Sequence, residues 1–419
     1  MPENSLPRER ATLGNRGLHG VSSTSTARPC ADCGAVSTVS TVSRVNRSSH
    51  REVFATLVPE ALPDAARNGA SSVDAQITDL ARQWSALIRT LGPGTMPVSA
   101  IWHVSEPVDE SRLALPLDSS GAGSPSVTVI VQPICCVTCQ VSLELQLIVS
   151  ASDALAVPVD GNGSARPASV HVLQDASGNR HIRVANISAP HAPESAANEC
   201  EQVFERAEAL LQKHGARLED VVRTWLYLRH MERDYDALNS ARCQLFDRRG
   251  LEVFPASTGI GGELPQDDRD LCLSLYAIVS GGGRLGGLSR KEMRSDTFNG
   301  PWEYGSYFAR GMRVDTRDGA TLLLSGTAAI DAAGETVGVG DFDVQLDRTL
   351  ENLRGLLRGA DADFHDVVQM TSYLKSAFDR DRLRSRLEST GLLSVPHVVV
   401  EAEVCRPELL VECELIACV

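Results

Sequence analysis

The residues best suited to chemistry lie close together near the C-terminus. Cys405 and Arg406 are adjacent, and Glu412 and Glu414 follow on one face of a strand-like stretch. An arginine can hold a carboxylate through two parallel hydrogen bonds. A glutamate whose pKa is raised by burial can donate a proton near neutral pH. These residues predict a carboxylate-binding, proton-transferring site, although the glutamates and Arg406 could also face solvent and Cys405 could belong to the core.

Other kinds of chemistry leave weaker signals. The ten histidines form no HxH or HExxH metal-binding pattern. Two CxxC pairs, Cys30/Cys33 and Cys136/Cys139, would make a zinc site only if both pairs met, so a tail motif and buried thiols are the favoured interpretation. The Gly-rich stretch at 281–287 lacks the lysine of a phosphate loop and indicates a linker. We therefore expect no metal and no organic cofactor.

Composition narrows the class of protein. The 419 residues carry a formal net charge of −14, which disfavours a binder of nucleic acid backbones. No apolar run approaches the roughly 20 residues that span a membrane. Eleven cysteines without a visible export signal favour free thiols and a cytoplasmic location. Residues 1–48, rich in Ser, Thr and Arg, are expected to form a disordered tail, although transit peptides share this composition.

Three helices with the same apolar spacing must position the candidate residues. The clearest runs from Asp343 to Leu357, and its spacing of four, three and four residues marks one face of an α-helix. The three stripes are Leu346, Leu350, Leu353 and Leu357; Cys200, Phe204, Ala207 and Leu211; and Ile77, Ala81, Trp84 and Ile88. Stripes in register predict copies of one supersecondary unit.

Strand-like segments repeat together with the helices. β-branched and aromatic residues fill 219–228 and 365–374, with a counterpart at 98–104, and each unit ends in a further strand at 141–149, 271–279 and 410–417. This order of strands and helices predicts an α+β sandwich. We divide the chain into the tail (1–48), unit one (49–150), a linker (151–168), unit two (169–280), a linker (281–300) and unit three (301–419).

Unit three resembles the Rid/YjgF superfamily of small α+β proteins that form homotrimers. The matching segments are Gly305-Ser-Tyr307, Leu324-Ser-Gly326, Gln345 to Leu357, and Val411 to Ala417. Units two and three together more narrowly resemble the chorismatase branch of this superfamily. That resemblance rests on Arg223-Thr-Trp225 with Tyr227, on Pro255 to Gly261, and on Cys405 to Glu412.

The resemblance implies three tandem Rid/YjgF-like units with a chorismate-mutase-like sandwich fold. Active sites in this superfamily lie between neighbouring subunits, so three fused units would form an internal pseudo-trimer, and we expect a monomer or weak dimer. Unit one has no Lys or Arg between Arg112 and Arg166, and unit two has Gly262-Glu263-Leu-Pro where the superfamily pattern has Arg-Leu-Pro. We therefore expect one competent cleft, with Arg406 on one wall.

Particular residues acquire expected roles from the resemblance. Glu412 is expected to be catalytic together with Cys405, and Arg406 to hold a substrate carboxylate. Further candidates for substrate binding are Tyr307, Ser325, Arg223, Tyr227 and Arg310.

Three functions remain open at this point. The first is a chorismatase-like hydrolase that releases pyruvate from chorismate, which Cys405-Arg406-Pro favours because single-domain deaminases of the superfamily have Arg-Leu-Pro there. The second is a deaminase of 2-imino or enamine acids. The third is a ligand-binding protein without catalytic activity. All three involve a small carboxylate and neither nucleic acid nor a membrane.

Overall fold

The computed structural model describes residues 21–28, 38–47, 49–59, 72–113, 125–136, 139–150, 168–264, 269–282, 287–301 and 306–419. Within these residues the chain forms three mixed sheets, one per unit. Five α-helices accompany the sheets among the described residues. The predicted α+β class is therefore confirmed.

The three units have the following elements in chain order. Unit one contains β1 (Val21–Arg28), β2 (Thr38–Asn46), β3 (Arg51–Leu57), α1 (Ser72–Leu91), β4 (Thr95–Val104), β5 (Ser126–Val131) and β6 (Val141–Val149). Unit two contains β7 (Ser169–Gln174), β8 (Arg180–Ile187), α2 (Ala196–Lys213), β9 (Val221–Leu228), α3 (Met231–Arg249), β10 (Ala256–Gly261) and β11 (Leu271–Val279). Unit three contains β12 (Ser289–Glu292), β13 (Gly311–Thr316), β14 (Gly319–Leu324), β15 (Thr327–Ala328), α4 (Phe342–Arg358), β16 (Val367–Leu374), α5 (Arg380–Glu388), β17 (His397–Glu401) and β18 (Val411–Cys418).

The sheets share one topology. Their strand orders are β1-β2-β3-β6-β4-β5, β7-β8-β11-β9-β10 and β12-β13-β14-β18-β16-β17. In each sheet the last two strands of this order run parallel, and the other neighbours pair antiparallel. The last strand of each unit therefore lies in the interior of its sheet, between a hairpin strand and the strand that follows the repeated helix.

The repeated helices are confirmed at the predicted places. The four stripe residues of α4 are all buried, and so are the four of α2. In α1 the buried face differs slightly, because Leu80 is fully buried while Ala81 is only half-buried. Leu80 has the larger apolar side chain of the two neighbours, so the helix turns that side to the core.

Unit one begins earlier than the sequence indicates. Residues 38–46 form β2, which pairs with β3 and with β1, so the predicted tail boundary at residue 48 is corrected. Alternate residues of β2 are buried, among them Thr41, Ser43 and Val45, since β-branched and small side chains suit a covered strand face. Residues 1–20 and 29–37, which include Cys30 and Cys33, lie outside the described residues.

The second predicted linker also contains a strand. β12 falls within 281–300 and pairs antiparallel with β13, which extends the sheet of unit three. The first predicted linker lies almost entirely outside the described residues. In the described part of the chain no three or more His, Cys, Asp and Glu side chains cluster as metal ligands. Likewise, none of the helices described is long and apolar enough to cross a membrane.

Each unit contacts both of the others. Thr128 of β5 and Ser274 of β11 share a hydrogen bond of 3.0 Å between their hydroxyl groups. Ser257 N of β10 donates to Ser325 Oγ at 2.8 Å, which joins unit two to unit three. Gln369 Nε2 of β16 donates to Glu144 Oε2 of β6 at 2.7 Å, which joins unit three to unit one. The contacts close a ring of three units, as the pseudo-trimer requires, while the oligomeric state of the chain stays a prediction.

A buried arginine fastens the ring between units one and three. Arg47 pairs with Glu52 at 2.8 Å and donates to Thr321 Oγ1 at 3.0 Å and Cys418 Sγ at 3.3 Å. Its side chain is only 3% exposed. Removing it would leave Glu52 buried without its cation.

We predict that Arg47→Met lowers the free energy of unfolding by about 3–5 kcal/mol, the usual result of breaking a buried ion pair from one side. Chemical denaturation with urea would measure it. Arg248→Met is the matched control, because Arg248 pairs with Glu201 at the surface with 55% of its side chain exposed; it should change stability by less than about 1 kcal/mol. Equal effects of the two substitutions would contradict the prediction.

Candidate active site

A cavity of about 600 Å³ opens between units two and three. Unit two contributes α3 and β10. Unit three contributes the segment just before β13, the turn after β14 and the loop that leads into β18. Four of the sequence candidates line it together: Cys405, Arg406, Glu412 and Arg310. The structure thus brings residues distant in sequence to one concave surface, the usual setting of a small-molecule site.

Glu412 is a buried acid at the floor of this cavity. It lies on β18 opposite Ala328 of β15 and Tyr373 of β16, and only 4% of it is exposed. Burial and the neighbouring Glu414 raise the pKa of Glu412 from its usual 4.5 to about 8, against the opposing effect of Arg310 and Arg223. Glu412 therefore carries a proton at neutral pH and can donate it.

Gly326 makes the room that Glu412 occupies. A Cβ at this position would overlap Glu412 Oε1 and would lie 3.0 Å from Thr258 Cγ2. The carboxyl group consequently passes directly over the backbone of the turn after β14. The glycine of the Leu324-Ser-Gly326 motif is needed here for a close approach.

Two buried arginines face the cavity from opposite units. Arg310 of unit three is 7% exposed and Arg242 of α3 is 4% exposed. Arg310 Nε donates to Asn299 O at 3.2 Å, and its guanidinium lies 4.7 Å from the ring centre of Phe298. Both guanidiniums are cations in a partly apolar surrounding, which favours an anionic ligand.

Arg242 was missed by the sequence analysis. It donates to Asn239 Oδ1 at 2.6 Å and Ser257 Oγ at 3.3 Å, and no carboxylate forms an ion pair with it in the described part of the chain. The sequence does contain a pattern that indicates its burial. Arg242 stands four residues after Leu238 and three before Leu245, on the buried side of α3. An arginine within an apolar stripe predicts a buried cation.

Cys405 and Arg406 line the cavity beside Glu412. Burial, with the nearby Glu412, raises the pKa of the Cys405 thiol to about 12, and Tyr235 hydrogen-bonds to it. Cys405 is therefore a neutral thiol rather than a thiolate nucleophile. Arg406 Nη1 donates to Gly334 O at 2.7 Å, which holds its side chain across the loop before β18.

Ser325 and Tyr307 do not line the cavity. Ser325 is fully buried, donates from Oγ to Ala309 O at 2.5 Å and accepts from Ser257 N, so it ties the turn after β14 to β10. The Tyr307 ring lies 4.7 Å from that of Phe254, and its hydroxyl donates to Asp247 at 3.3 Å. Tyr307 thus contacts unit two beyond the cavity.

Arg223 and Tyr227 lie beneath the site rather than in it. Both are on β9 and buried. Arg223 Nη2 pairs with Glu414 Oε2 at 2.7 Å, and burial raises the pKa of Tyr227 well above its usual value. These side chains belong to the interface between units two and three.

The other two units lack the acid at the equivalent position. The last strands of the three units can be aligned by their first residues, each of which pairs with the end of the neighbouring strand. These pairs are Val141 with Val104, Leu271 with Leu228, and Val411 with Leu374. One residue further along, the chain has Ser142 in unit one, Cys272 in unit two and Glu412 in unit three.

The space opened by Gly326 is also filled in the other two units. The same alignment identifies the positions that correspond to Thr327. The third residue of each last strand pairs with Leu57 in unit one, Ile187 in unit two and Thr327 in unit three. The preceding residues are Thr56, Asn186 and Gly326. Asn186 Nδ2 donates to Val127 O at 2.9 Å, so its side chain crosses the interface where Gly326 leaves room.

Comparison with known proteins agrees with this architecture. The family model described as Endoribonuclease L-PSP matches residues 308–419. A RutC family protein from Pyrococcus abyssi is 31% identical over 100 residues, which cover 24% of this chain and 79% of that protein. Protein DfrA from Myxococcus xanthus is 32% identical over 96 residues, covering 23% of this chain and 70% of DfrA.

Among solved structures, the crystal structure of a chorismatase is similar over almost the whole chain. The TM-score is 0.60 at 17% sequence identity, with 89% of this chain and 100% of the other covered. At this identity the similarity concerns the fold alone. The sequence relatives show that the chain belongs to the RutC family, within the Rid/YjgF superfamily, and its overall fold is similar to that of the chorismatase structure.

Proposed function

We propose that the cavity binds a small dicarboxylate and that the protein hydrolyses chorismate, or a close enol ether analogue, with release of pyruvate. The feature that carries this proposal is a buried glutamate with a raised pKa, Glu412, in a cavity that two buried arginines also line. A neutral acid is suited to protonating carbon, while the guanidiniums are suited to holding carboxylates. The fold shared with a chorismatase adds support of a general kind.

The proposed reaction begins with proton transfer to carbon. Glu412 donates its proton to the terminal methylene carbon of the enolpyruvyl group, which leaves a cation stabilised by the ether oxygen. Water adds to the cationic carbon and returns one proton to Glu412. The resulting hemiketal then breaks its bond to the ring oxygen as its hydroxyl proton passes to that oxygen. Pyruvate and a ring alcohol leave, and one water is consumed in total.

The cavity walls have separate tasks in this proposal. Arg310 and Arg242 each hold one carboxylate from opposite units, and Arg406 also lines the cavity. Because its thiol stays protonated, Cys405 contributes shape and a weak hydrogen bond beside the ring rather than a nucleophile. No step needs a metal or an organic cofactor.

The direct test is incubation of the purified chain with chorismate, followed by a coupled assay for pyruvate. We expect pyruvate to form in proportion to enzyme and to form far more slowly with Glu412→Gln. A parallel reaction with a freshly generated 2-imino acid, followed by an ammonia assay, tests the deaminase alternative. Ammonia without pyruvate would overturn the proposal, and neither product would favour a ligand-binding protein.

We predict that kcat depends on the protonated form of Glu412. The rate should be constant below pH about 8, the raised pKa of Glu412, and should fall as pH rises above it. Glu412→Gln keeps the shape but cannot transfer the proton, so kcat should fall by about 10²–10⁴ with KM similar.

Stability supplies an independent check on the same group. Because its pKa is raised on folding, the contribution of Glu412 to stability is complete below its usual 4.5 and is lost as pH rises to about 8. The melting temperature of Glu412→Gln should lack this loss. Near-normal turnover in Glu412→Gln would contradict the prediction made above for kcat.

We further predict that the arginines act on binding rather than on the chemical step. Arg310→Met and Arg242→Met keep side-chain volume but remove charge-assisted hydrogen bonds worth roughly 1.5–3 kcal/mol each, so KM should rise about tenfold or more. Arg406→Ala should act in the same direction. Arg313→Met is the control, since Arg313 pairs with Asp315 elsewhere on β13 and should leave KM unchanged. A change in kcat alone would contradict this assignment.

A further inference from the structure

The wall of the cavity that unit two supplies contains a cluster of hydrogen-bonded polar side chains. Arg242 Nη2 donates to Asn239 Oδ1 at 2.6 Å, and Arg242 Nη1 donates to Ser257 Oγ at 3.3 Å. Asn239 and Arg242 lie on α3, Ser257 lies on β10, and all three residues line the cavity. The bonds between them place three polar groups side by side on one surface.

The hydrogen bonds within this cluster occupy its acceptor atoms and leave donors over. Ser257 Oγ accepts from Thr224 Oγ1 at 2.9 Å as well as from Arg242, which occupies both lone pairs of the hydroxyl. Because a guanidinium can only donate, the atom of Asn239 that faces it must be the carbonyl oxygen. The amide nitrogen of Asn239 points away from Arg242 and donates no hydrogen bond in the described part of the chain. Arg242 Nε is buried and also has no hydrogen-bond partner among the described residues.

A cluster of donors without a free acceptor suits a group that only accepts hydrogen bonds. The hydroxyl of Ser257, the amide nitrogen of Asn239 and the guanidinium of Arg242 all offer hydrogens, and the guanidinium adds a positive charge. An ionised carboxylate, with two acceptor oxygens and a negative charge, matches this set. A primary amide or an ammonium group would bring its own donor hydrogens against these donors and would leave buried polar groups unpaired.

Arg310 belongs to the opposite wall, beside the turn that lies under the reacting acid. Its backbone oxygen accepts from Ser325 N at 3.0 Å, in the turn over which the Glu412 carboxyl passes. The guanidiniums of Arg242 and Arg310 each lie 5.5 Å from the ring centre of Phe308, so one aromatic ring adjoins both. The cavity therefore offers two cationic places within the reach of one small dicarboxylate.

We propose that Asn239 is a specificity-determining residue which, with Ser257 and Arg242, binds the ring carboxylate of the substrate, while Arg310 holds the carboxylate of the enolpyruvyl arm. The arm must lie at Glu412, because its methylene carbon receives the proton, and Arg310 is the arginine on that side. The ring carboxylate then lies at the donor cluster of unit two. The identity of the two carboxylates rests on the proposed function, whereas the pairing of each place with one carboxylate can be tested without turnover.

The test measures the binding of two fragments to the full chain by isothermal titration calorimetry. Benzoate carries a carboxylate on a six-membered ring, and pyruvate is the arm with its carboxylate. Asn239→Asp keeps an oxygen for Arg242 but replaces the donor nitrogen with a negative oxygen. Benzoate should therefore bind this variant more than about tenfold more weakly, while pyruvate binds as in the wild type. Arg310→Met should show the reverse pattern.

Benzamide separates direct contact from an effect transmitted through Arg242. Asn239→Asp also neutralises Arg242, which by itself would weaken benzoate and leave benzamide unchanged. If the side chain at 239 touches the ligand, its new carboxylate accepts from the amide group, and benzamide should bind several-fold more tightly than to the wild type. Asn198→Asp is the matched control, because Asn198 Oδ1 accepts from Gln202 Nε2 at 2.8 Å on α2, which supplies none of the described residues lining the cavity. It should change the binding of neither benzoate nor benzamide.

The outcomes separate this inference from the proposed function. Benzoate that does not bind the wild type, or binds Asn239→Asp equally well, overturns the role of Asn239, and so does benzamide that gains nothing. Loss of both benzoate and pyruvate in either variant would show one shared place and would overturn the arrangement in two. The expected fragment binding without pyruvate release from chorismate would refute the proposed hydrolysis and leave both carboxylate places intact. Pyruvate release with an unchanged KM for chorismate in Asn239→Asp would support the hydrolysis and overturn the inference.

Discussion

The contact between β10 of unit two and the turn after β14 of unit three is the interaction on which the site depends. Ser257 N donates to Ser325 Oγ, Gly326 N donates to Thr258 Oγ1 at 2.9 Å, and Ala309 N donates to Pro255 O at 2.9 Å. These bonds join the two units edge to edge and enclose the Glu412 carboxyl. Without them that carboxyl would be solvated and would have an ordinary acidity.

A neutral Glu412 also matters for binding. An ionised carboxylate at this place would attract the guanidiniums of Arg310 and Arg223 and would compete with an anionic ligand. Burial and the neighbouring Glu414 raise the pKa of Glu412, which opposes this competition. In the proposed function, this electrostatic arrangement would serve both proton donation and carboxylate recognition.

Fusion of the three units into one chain explains how the interface between units two and three can differ from the other two interfaces. In a symmetric homotrimer every cleft carries the same residues. Here the position of Glu412 is Ser142 in unit one and Cys272 in unit two, and the position of Gly326 is Thr56 or Asn186. Small or bridging side chains pack the other interfaces, and they can be selected for ring stability without affecting the site.

The sequence by itself determined the repeats and the fold class, and it pointed to three residues that line one cavity. Helix periodicity located α1, α2 and α4 because one apolar face must meet a sheet, whatever the remainder of the chain does. Short-range spacing brought Cys405, Arg406 and Glu412 into one hypothesis, since seven residues connect a loop to the strand that follows it. Local patterns of this kind survive folding because the interactions that cause them are themselves local.

Only the tertiary structure decided which partner wall completes the site. Arg242 and Arg310 line one cavity with Glu412 from different units. The remaining candidates, Arg223, Tyr227, Ser325 and Tyr307, lie at the interface around it. The strand at 38–46 was hidden as well, because its Ser and Thr residues resemble a disordered segment until β1 and β3 flank it. In each case the deciding contacts join residues far apart in the chain, and their pairing depends on how three cores pack together rather than on any local periodicity.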